Sequence, residues 1–179
     1  VVDTTTLCDA GFLRVSRRRI VGPDGEEHDR HVVHHPGAVV VVPVEGDDAL
    51  LVRQFRAATG GVILEVPAGK RDVPGEAPEV TASRELGEEI GRRADRLELL
   101  CEFFNTPGFC DEYTYLYLAT ELTEVPRHAV SAEEAHLELV RVPLIAIDDL
   151  IARREIVDAK TIIGLLLARD RLAARTAEG

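Results

Sequence analysis

Glu85, Glu88 and Glu89 stand at i, i+3 and i+4 in the segment Arg84-Glu85-Leu86-Gly87-Glu88-Glu89-Ile90-Gly91. On a helix this spacing directs all three carboxylates to one side. Like charges at i,i+4 destabilise a helix, and a bridging cation removes that penalty. Carboxylate oxygens with room for water suit Mg²⁺ or Mn²⁺. A platform of this kind suggests metal-assisted chemistry on phosphate. A short acidic cluster taken alone is more often a solvated helix face. The ordered run of Gly69, Pro74-Gly75, Glu76 and Arg84 ahead of the acids reverses that balance.

The helix that must carry these acids has its own signals. Leu86 and Ile90 are i,i+4 neighbours with Ser83 close by, a narrow apolar stripe that can pack on a sheet while the acids face a cleft. Pro78 suits a first turn, Gly91 suits a C-cap, and Pro74-Gly75 reads as the preceding turn.

Around it the elements alternate. Residues 14–20 and 28–33 flank Gly22-Pro23-Asp24-Gly25 and read as a hairpin. Residues 38–44 form a continuous apolar run, as in a strand covered on both faces. Gly46-Asp47-Asp48 turns into a strand over 49–55, and 62–66 leads into the acidic region. Residues 97–104, 113–119 and 137–142 read as further strands, and 147–153 and 159–173 as amphipathic helices. The expected class is α/β, a mixed sheet with helices on both faces.

Bulk properties agree with a globular enzyme. A chain of 179 residues favours one domain and can bury roughly 70% of its unfolded surface. Hydrophobic residues make up 45% and charged residues 30%, which separates it from disordered chains. The net charge of -11 argues against nucleic-acid or anionic-membrane partners, which require basic surface. Cys8, Cys101 and Cys110 are widely spaced with no C-x-x-C, so neither a zinc site nor a disulfide framework is expected. No run of roughly 18 apolar residues suggests a membrane span, and no leader pattern opens the chain. A cytoplasmic setting is the expectation. The absence of Met leads us to expect a translated start upstream of Val1.

Single residues suggest a ligand. Arg56 ends an apolar strand, where its guanidinium could fork a phosphate or a ribose oxygen, or simply face solvent. Glu65 could pair with it or bond the substrate. Pro67-Ala68-Gly69 places small residues where backbone can approach a ligand closely. In the loop holding Gly108, Phe109 could stack on a base or tuck into the core. His34 and His35 diverge on a strand, which speaks against a shared metal.

From Glu76 onward the pattern resembles the Nudix box, G-x5-E-x7-R-E-U-x-E-E-x-G-U with U apolar. Six residues instead of five separate Gly69 from Glu76, and the last apolar position is Arg92, past the helix cap and adjacent in sequence to none of the acids. Four more segments resemble the ADP-ribose pyrophosphatase branch. They are His35-Pro36-Gly37-Ala38-Val39, Leu51-Val52-Arg53-Gln54-Phe55-Arg56, Glu65-Val66-Pro67-Ala68-Gly69-Lys70 and the loop Thr106-Pro107-Gly108-Phe109-Cys110-Asp111-Glu112. The resemblance implies a Nudix-type α/β/α sandwich around a mixed sheet. Residues 1–35 would be a small N-terminal antiparallel sheet unit that serves dimerisation and substrate contact, and residues 36–179 the hydrolase domain.

The implied activity is Mg²⁺-dependent hydrolysis of ADP-ribose to AMP and ribose 5-phosphate, with Mn²⁺ as the other candidate ion. The implied metal ligands are Glu85 and Glu89, then Glu88, with the Ala68 carbonyl joining them. Glu76 and Arg84 would orient the cluster. Glu134, with Glu133 as its alternate, would take the proton from water. Arg56, Glu65, Gly108 and Phe109 would contact the substrate. The chain lacks Trp, so Phe12, Phe55 or Phe109 would have to hold adenine. A homodimer acting on a small nucleotide sugar is expected. Competing expectations are another nucleoside diphosphate sugar such as ADP-glucose or a GDP-sugar, a non-catalytic ADP-ribose sensor, and an acidic structural domain that holds a cation.

Overall fold

Strand β4 (Ala38–Glu45) organises the molecule. In the computed structural model, which describes residues 1–127 and 136–178, its apolar run is buried on both faces. Successive side chains leave a strand on opposite sides. Val39 and Val41 therefore pack with Ala82, Leu86 and Ile90 of helix α1 (Pro78–Ile90). Val40 and Val42 pack the other way, with Ile147 of helix α2 (Ile147–Ala152) and Leu165 and Ala168 of helix α3 (Ala159–Glu178). One period-2 pattern thus generates both interfaces of an α/β/α sandwich.

The central path of the sheet runs β10-β5-β4-β9-β8. Its other strands are β5 (Asp48–Arg56), β8 (Arg92–Phe104), β9 (Tyr113–Glu124) and β10 (Glu138–Pro143). β4 and β9 are parallel, while β5 with β10 and β8 with β9 are antiparallel, so the sheet is mixed as expected. Two short strands complete it. β6 (Gly61–Glu65) pairs with the end of β5, and β7 (Ala68–Lys70) pairs with the start of β4.

A separate three-stranded sheet precedes this core, formed by β1 (Asp3–Ala10), β2 (Leu13–Val21) and β3 (Glu27–His34). β2 and β3 are the hairpin read from the sequence, turning through Gly25 at φ 83°. β1 was not anticipated. All eight of its residues are exposed, so it carries no buried face to write an apolar alternation.

Helix α1 has the expected ends. Pro78 opens it and Gly91 closes it at φ 63° in the left-handed region. Two details correct the sequence reading. Ser83 is exposed and bonds the Glu79 carbonyl at 2.9 Å, while Ala82, fully buried, joins Leu86 and Ile90 on the apolar stripe. Arg92, to which the sequence reading gave no partner, is the second. It is buried at the head of β8, with Nε 2.6 Å from Glu45 Oε1 and Nη2 3.0 Å from Glu124 Oε1. The partners come from β4 and β9, which no local pattern around Arg92 announces.

The segment after β6 is tied to α3. Asp158 caps that helix, accepting from the Thr161 N–H at 2.9 Å and the Thr161 hydroxyl at 2.8 Å. The same hydroxyl oxygen accepts from the Val66 N–H at 3.0 Å, just ahead of Pro67-Ala68-Gly69. Burial pushes the Asp158 carboxyl up, but Lys160 and Thr161 outweigh it and hold it below its ordinary value of 3.8. A carboxylate with a depressed folded pKa stabilises above its unfolded value and loses that contribution as pH falls through the folded one. Asp158→Ala is therefore expected to cost about 1–2 kcal/mol at neutral pH. The gap to the parent should narrow below the ordinary carboxylate value, as urea denaturation across acidic pH would measure. A gap that stays constant into strong acid would remove this role for the charge.

Candidate active site

A cleft of about 660 Å³ opens where β5, β7, α1 and the start of α3 meet. Its acidic wall is α1, which contributes Glu85, Glu88 and Glu89. Its backbone wall is β7, which contributes Ala68, Gly69 and Lys70. The two walls touch. Glu89 Oε2 accepts from the Ala68 N–H at 3.1 Å, and Glu85 packs over Gly69 so closely that a Cβ there would overlap its carboxylate. Glu85 and Glu89 are buried, at 8% and 7% exposure, so their charge is felt in a poorly screened setting.

Arg84 is the counterweight. Its Nη1 lies 2.9 Å from Glu85 Oε1 and 3.0 Å from Glu88 Oε2, and its Nη2 lies 3.4 Å from Glu76 Oε2. Burial works against the Arg84 charge, but the surrounding carboxylates prevail and raise its pKa above the ordinary arginine value. Glu76 is in turn fixed by the Thr81 hydroxyl at 2.7 Å, and this bond and Arg84 hold its carboxyl below the usual range. Arg84 thus binds Glu76 as well as Glu85 and Glu88.

Among the described residues, no three His, Cys, Asp or Glu side chains converge in a metal-holding arrangement. The guanidinium of Arg84 draws Glu85 and Glu88 to itself. The donor set nonetheless fits a hard divalent cation. Three carboxylates, all hard oxygen ligands, line the same cleft as Ala68 and Gly69, and the missing side chain at Gly69 leaves the space that the Glu85 carboxylate occupies.

The cleft also holds residues that the sequence reading passed over or weighed only briefly. Gln54, His35, Glu112, Asp72 and Lys160 line it, as does Phe12 from the turn between β1 and β2. Phe12 meets His35 edge-on at 5.5 Å, and Lys70 Nζ sits 4.6 Å above its ring. Burial and Lys70 outweigh Glu112 and Asp111, so the His35 pKa lies below its ordinary 6.5. Gln54, His35 and Glu112 fall inside segments already singled out, but spacing alone assigned them no role. Lys160 lies more than seventy residues from the acids in sequence, where no local signal links them.

Arg56 lines the cleft with its Nε 2.7 Å from Glu65 Oε2. Glu65 is buried on β6 and is not itself a lining residue. Gly108 and Phe109 lie elsewhere. They border a second cleft of about 380 Å³ with Arg18, Arg30 and Phe104. Phe55 and Phe109 are exposed and outside the acidic cleft, which leaves Phe12 as the aromatic ring beside the acids. Glu133 and Glu134 lie outside the described residues.

His34 and His35 do diverge. His34 Nδ1 lies 2.6 Å from Asp111 Oδ2, and its Nε2 lies 2.8 Å from Ser16 Oγ. Ser16 is 1% exposed and lines neither cleft, so this Ser-His-Asp row has no access for an acyl substrate. It fastens β2 and β3 to the loop before β9, helped by the Val33 N–H donating to the Phe109 carbonyl at 2.7 Å.

Among the described residues, no helix is long and apolar enough to cross a membrane. Comparison with known proteins adds a family. The family model of the NUDIX domain matches residues 33–162. An ADP-ribose pyrophosphatase of Bacillus subtilis (strain 168) is 40% identical over 140 residues, covering 78% of this chain and 75% of the relative. An ADP-ribose pyrophosphatase of Mycobacterium tuberculosis is 36% identical over 166 residues, covering 92% and 80%. A solved structure described as an ADP compounds hydrolase superposes with a TM-score of 0.86 at 24% identity, covering 97% of this chain and 94% of its own, which establishes a shared fold.

Proposed function

The chain belongs to the NUDIX domain family and is a pyrophosphohydrolase of that kind, and on this premise we propose that it splits ADP-ribose into AMP and ribose 5-phosphate with Mg²⁺, or Mn²⁺ in its place. The observation that carries the reading is the junction of Glu85 and Glu89 with Ala68 and Gly69 inside one cleft that also bears Arg56, Lys70 and Lys160. The relatives named as ADP-ribose pyrophosphatases support the choice of substrate.

Glu85, Glu88, Glu89 and the Ala68 carbonyl would hold the cation. Once bound, it neutralises pyrophosphate charge and acidifies water. Arg84 keeps the carboxylates compensated and in place. The bond to Glu65 orients the Arg56 guanidinium, a planar group suited to phosphate or ribose oxygens. Phe12 offers an apolar ring to adenine at the His35 end. Glu134, with Glu133 as its alternate, accepts the proton of the attacking water at its carboxylate.

Incubation with Mg²⁺ and a panel of nucleotide sugars should yield AMP from ADP-ribose, seen by chromatography. Excess EDTA should stop turnover, and added Mg²⁺ should restore it. Faster cleavage of ADP-glucose or a GDP-sugar would replace the substrate assignment. Tight binding with no cleavage would instead favour a sensor.

The unit formed by residues 1–35 is proposed as a dimerisation element. Its β1 exposes all eight residues, Leu7 among them, and Phe12 and Val21 add exposed apolar surface. Sedimentation equilibrium should report a dimer, and a monomer at micromolar concentration would remove this proposal.

A further inference from the structure

Three successive residues leading into the cleft are held by three different elements. The Val66 N–H donates to Thr161 Oγ1 on α3 at 3.0 Å. The Pro67 carbonyl accepts from the Val41 N–H on β4 at 2.9 Å. The Ala68 N–H donates to Glu89 Oε2 on α1 at 3.1 Å. The β4 bond belongs to the sheet, and the α1 bond comes from a proposed cation ligand. The α3 bond is of another kind, because it hangs on one hydroxyl that lines neither cleft.

That hydroxyl has a fixed direction. It donates to Asp158 Oδ2 at 2.8 Å, and the Thr161 N–H donates to the same oxygen at 2.9 Å. Asp158 Oδ1 is taken by Lys160 Nζ at 2.6 Å, so Oδ2 is the oxygen left for Thr161. A hydroxyl has a single proton. With that proton committed to Asp158, Thr161 Oγ1 meets the Val66 N–H as an acceptor. Thr161 and Val66 are both buried, so the N–H has lost its solvent and depends on this oxygen.

Building on the proposed function, we infer that Thr161 is a positioning residue for the cation site, acting through Val66. It holds the chain two residues ahead of Ala68 and so fixes the strand that brings Ala68 and Gly69 against Glu89 and Glu85. Asp158 sets the direction of the hydroxyl. Groups that orient metal ligands at one remove change metal affinity by about 10–100-fold when lost.

Thr161→Val tests this without disturbing charge. It keeps the branched shape and removes the hydroxyl, so a change in cation affinity reports placement and not the electric field. Mn²⁺ is titrated into the whole chain with no nucleotide present, and the free ion is read by electron paramagnetic resonance. The site concerned is the one weakened by Glu89→Gln. Thr161→Val should raise its Kd about tenfold, and Thr161→Ser, which restores the hydroxyl, should return it to within about twofold of the parent. A loss of thermal stability with Mn²⁺ affinity unchanged would make Thr161 structural only and overturn the inference. Equal weakening in Thr161→Ser would do the same. If Thr161→Val does not fold, Thr161→Ala removes the same hydroxyl with a better helix former and decides the question. Absence of any Mn²⁺ site sensitive to Glu89→Gln would bring down the proposed ligand set, and this inference with it. Such a site bound equally by the parent and Thr161→Val would bring down this inference alone. Failure to cleave ADP-ribose would leave the titration decisive, because no substrate enters it.

Discussion

Glu89→Gln is expected to lower kcat on ADP-ribose by about a thousand-fold while the protein stays folded. The structure separates the two effects. Glu89 Oε2 accepts the Ala68 N–H at 3.1 Å, and the amide oxygen of Gln can accept the same bond. What the substitution removes is one negative charge, in a residue 7% exposed, beside Glu85 and Glu88. Losing a buried like charge relieves repulsion, so the melting temperature should hold or rise. Steady-state assays at saturating Mg²⁺ and a thermal melt check both halves. An activity within tenfold of the parent would show that Glu89 is not needed to hold the cation, and the proposed ligand set would fall with it.

Gly69→Ala should act in the opposite proportion to its size. A single methyl at Gly69 would overlap Cγ, Cδ and Oε1 of Glu85. The clash is with a side chain, which can swing aside, so the expected loss of stability is modest, about 1–3 kcal/mol. The catalytic loss is larger, because the carboxylate that swings is a proposed metal ligand. A misplacement of about 1 Å can cost about a hundred-fold in rate. We expect kcat to fall by roughly that factor and the Mg²⁺ concentration for half-maximal rate to rise. Full activity at parental Mg²⁺ would mean that the Glu85 carboxylate position does not matter. Because Glu89→Gln removes charge and Gly69→Ala displaces it, the pair also tells electrostatics from placement.

Much of this was legible before any coordinates. The i, i+3, i+4 acids, Pro78 and Gly91 are local signals, and a helix obeys them because its hydrogen bonds and side-chain neighbours lie within four residues. The apolar run over residues 38–44 announced a strand buried on both faces, and β4 is that strand. β1 escaped because an exposed strand writes no periodic pattern. Ser83 was placed on the apolar stripe although Ala82, one residue away, is the one that packs there. One residue turns a helix by about 100°.

The cleft itself is a different kind of object. Arg84 gathers Glu76, Glu85 and Glu88 through contacts confined to one segment, so the sequence could suggest that cluster. It could not bring Lys160 and Gln54 into one cleft, or place Phe12 beside Lys70. Nor could it show that Arg92 is clasped by Glu45 and Glu124, or that Phe109 faces a second cleft. Those neighbours come from elements far apart in the chain. They meet only because burying both faces of β4 fixes where α1, β7 and α3 lie. The chain's own spacing thus determined which acids share a helix face and what chemistry they suit. Only the packed sheet decided which cations, amide and aromatic ring surround them, because that burial is a non-directional force that acts on whole faces.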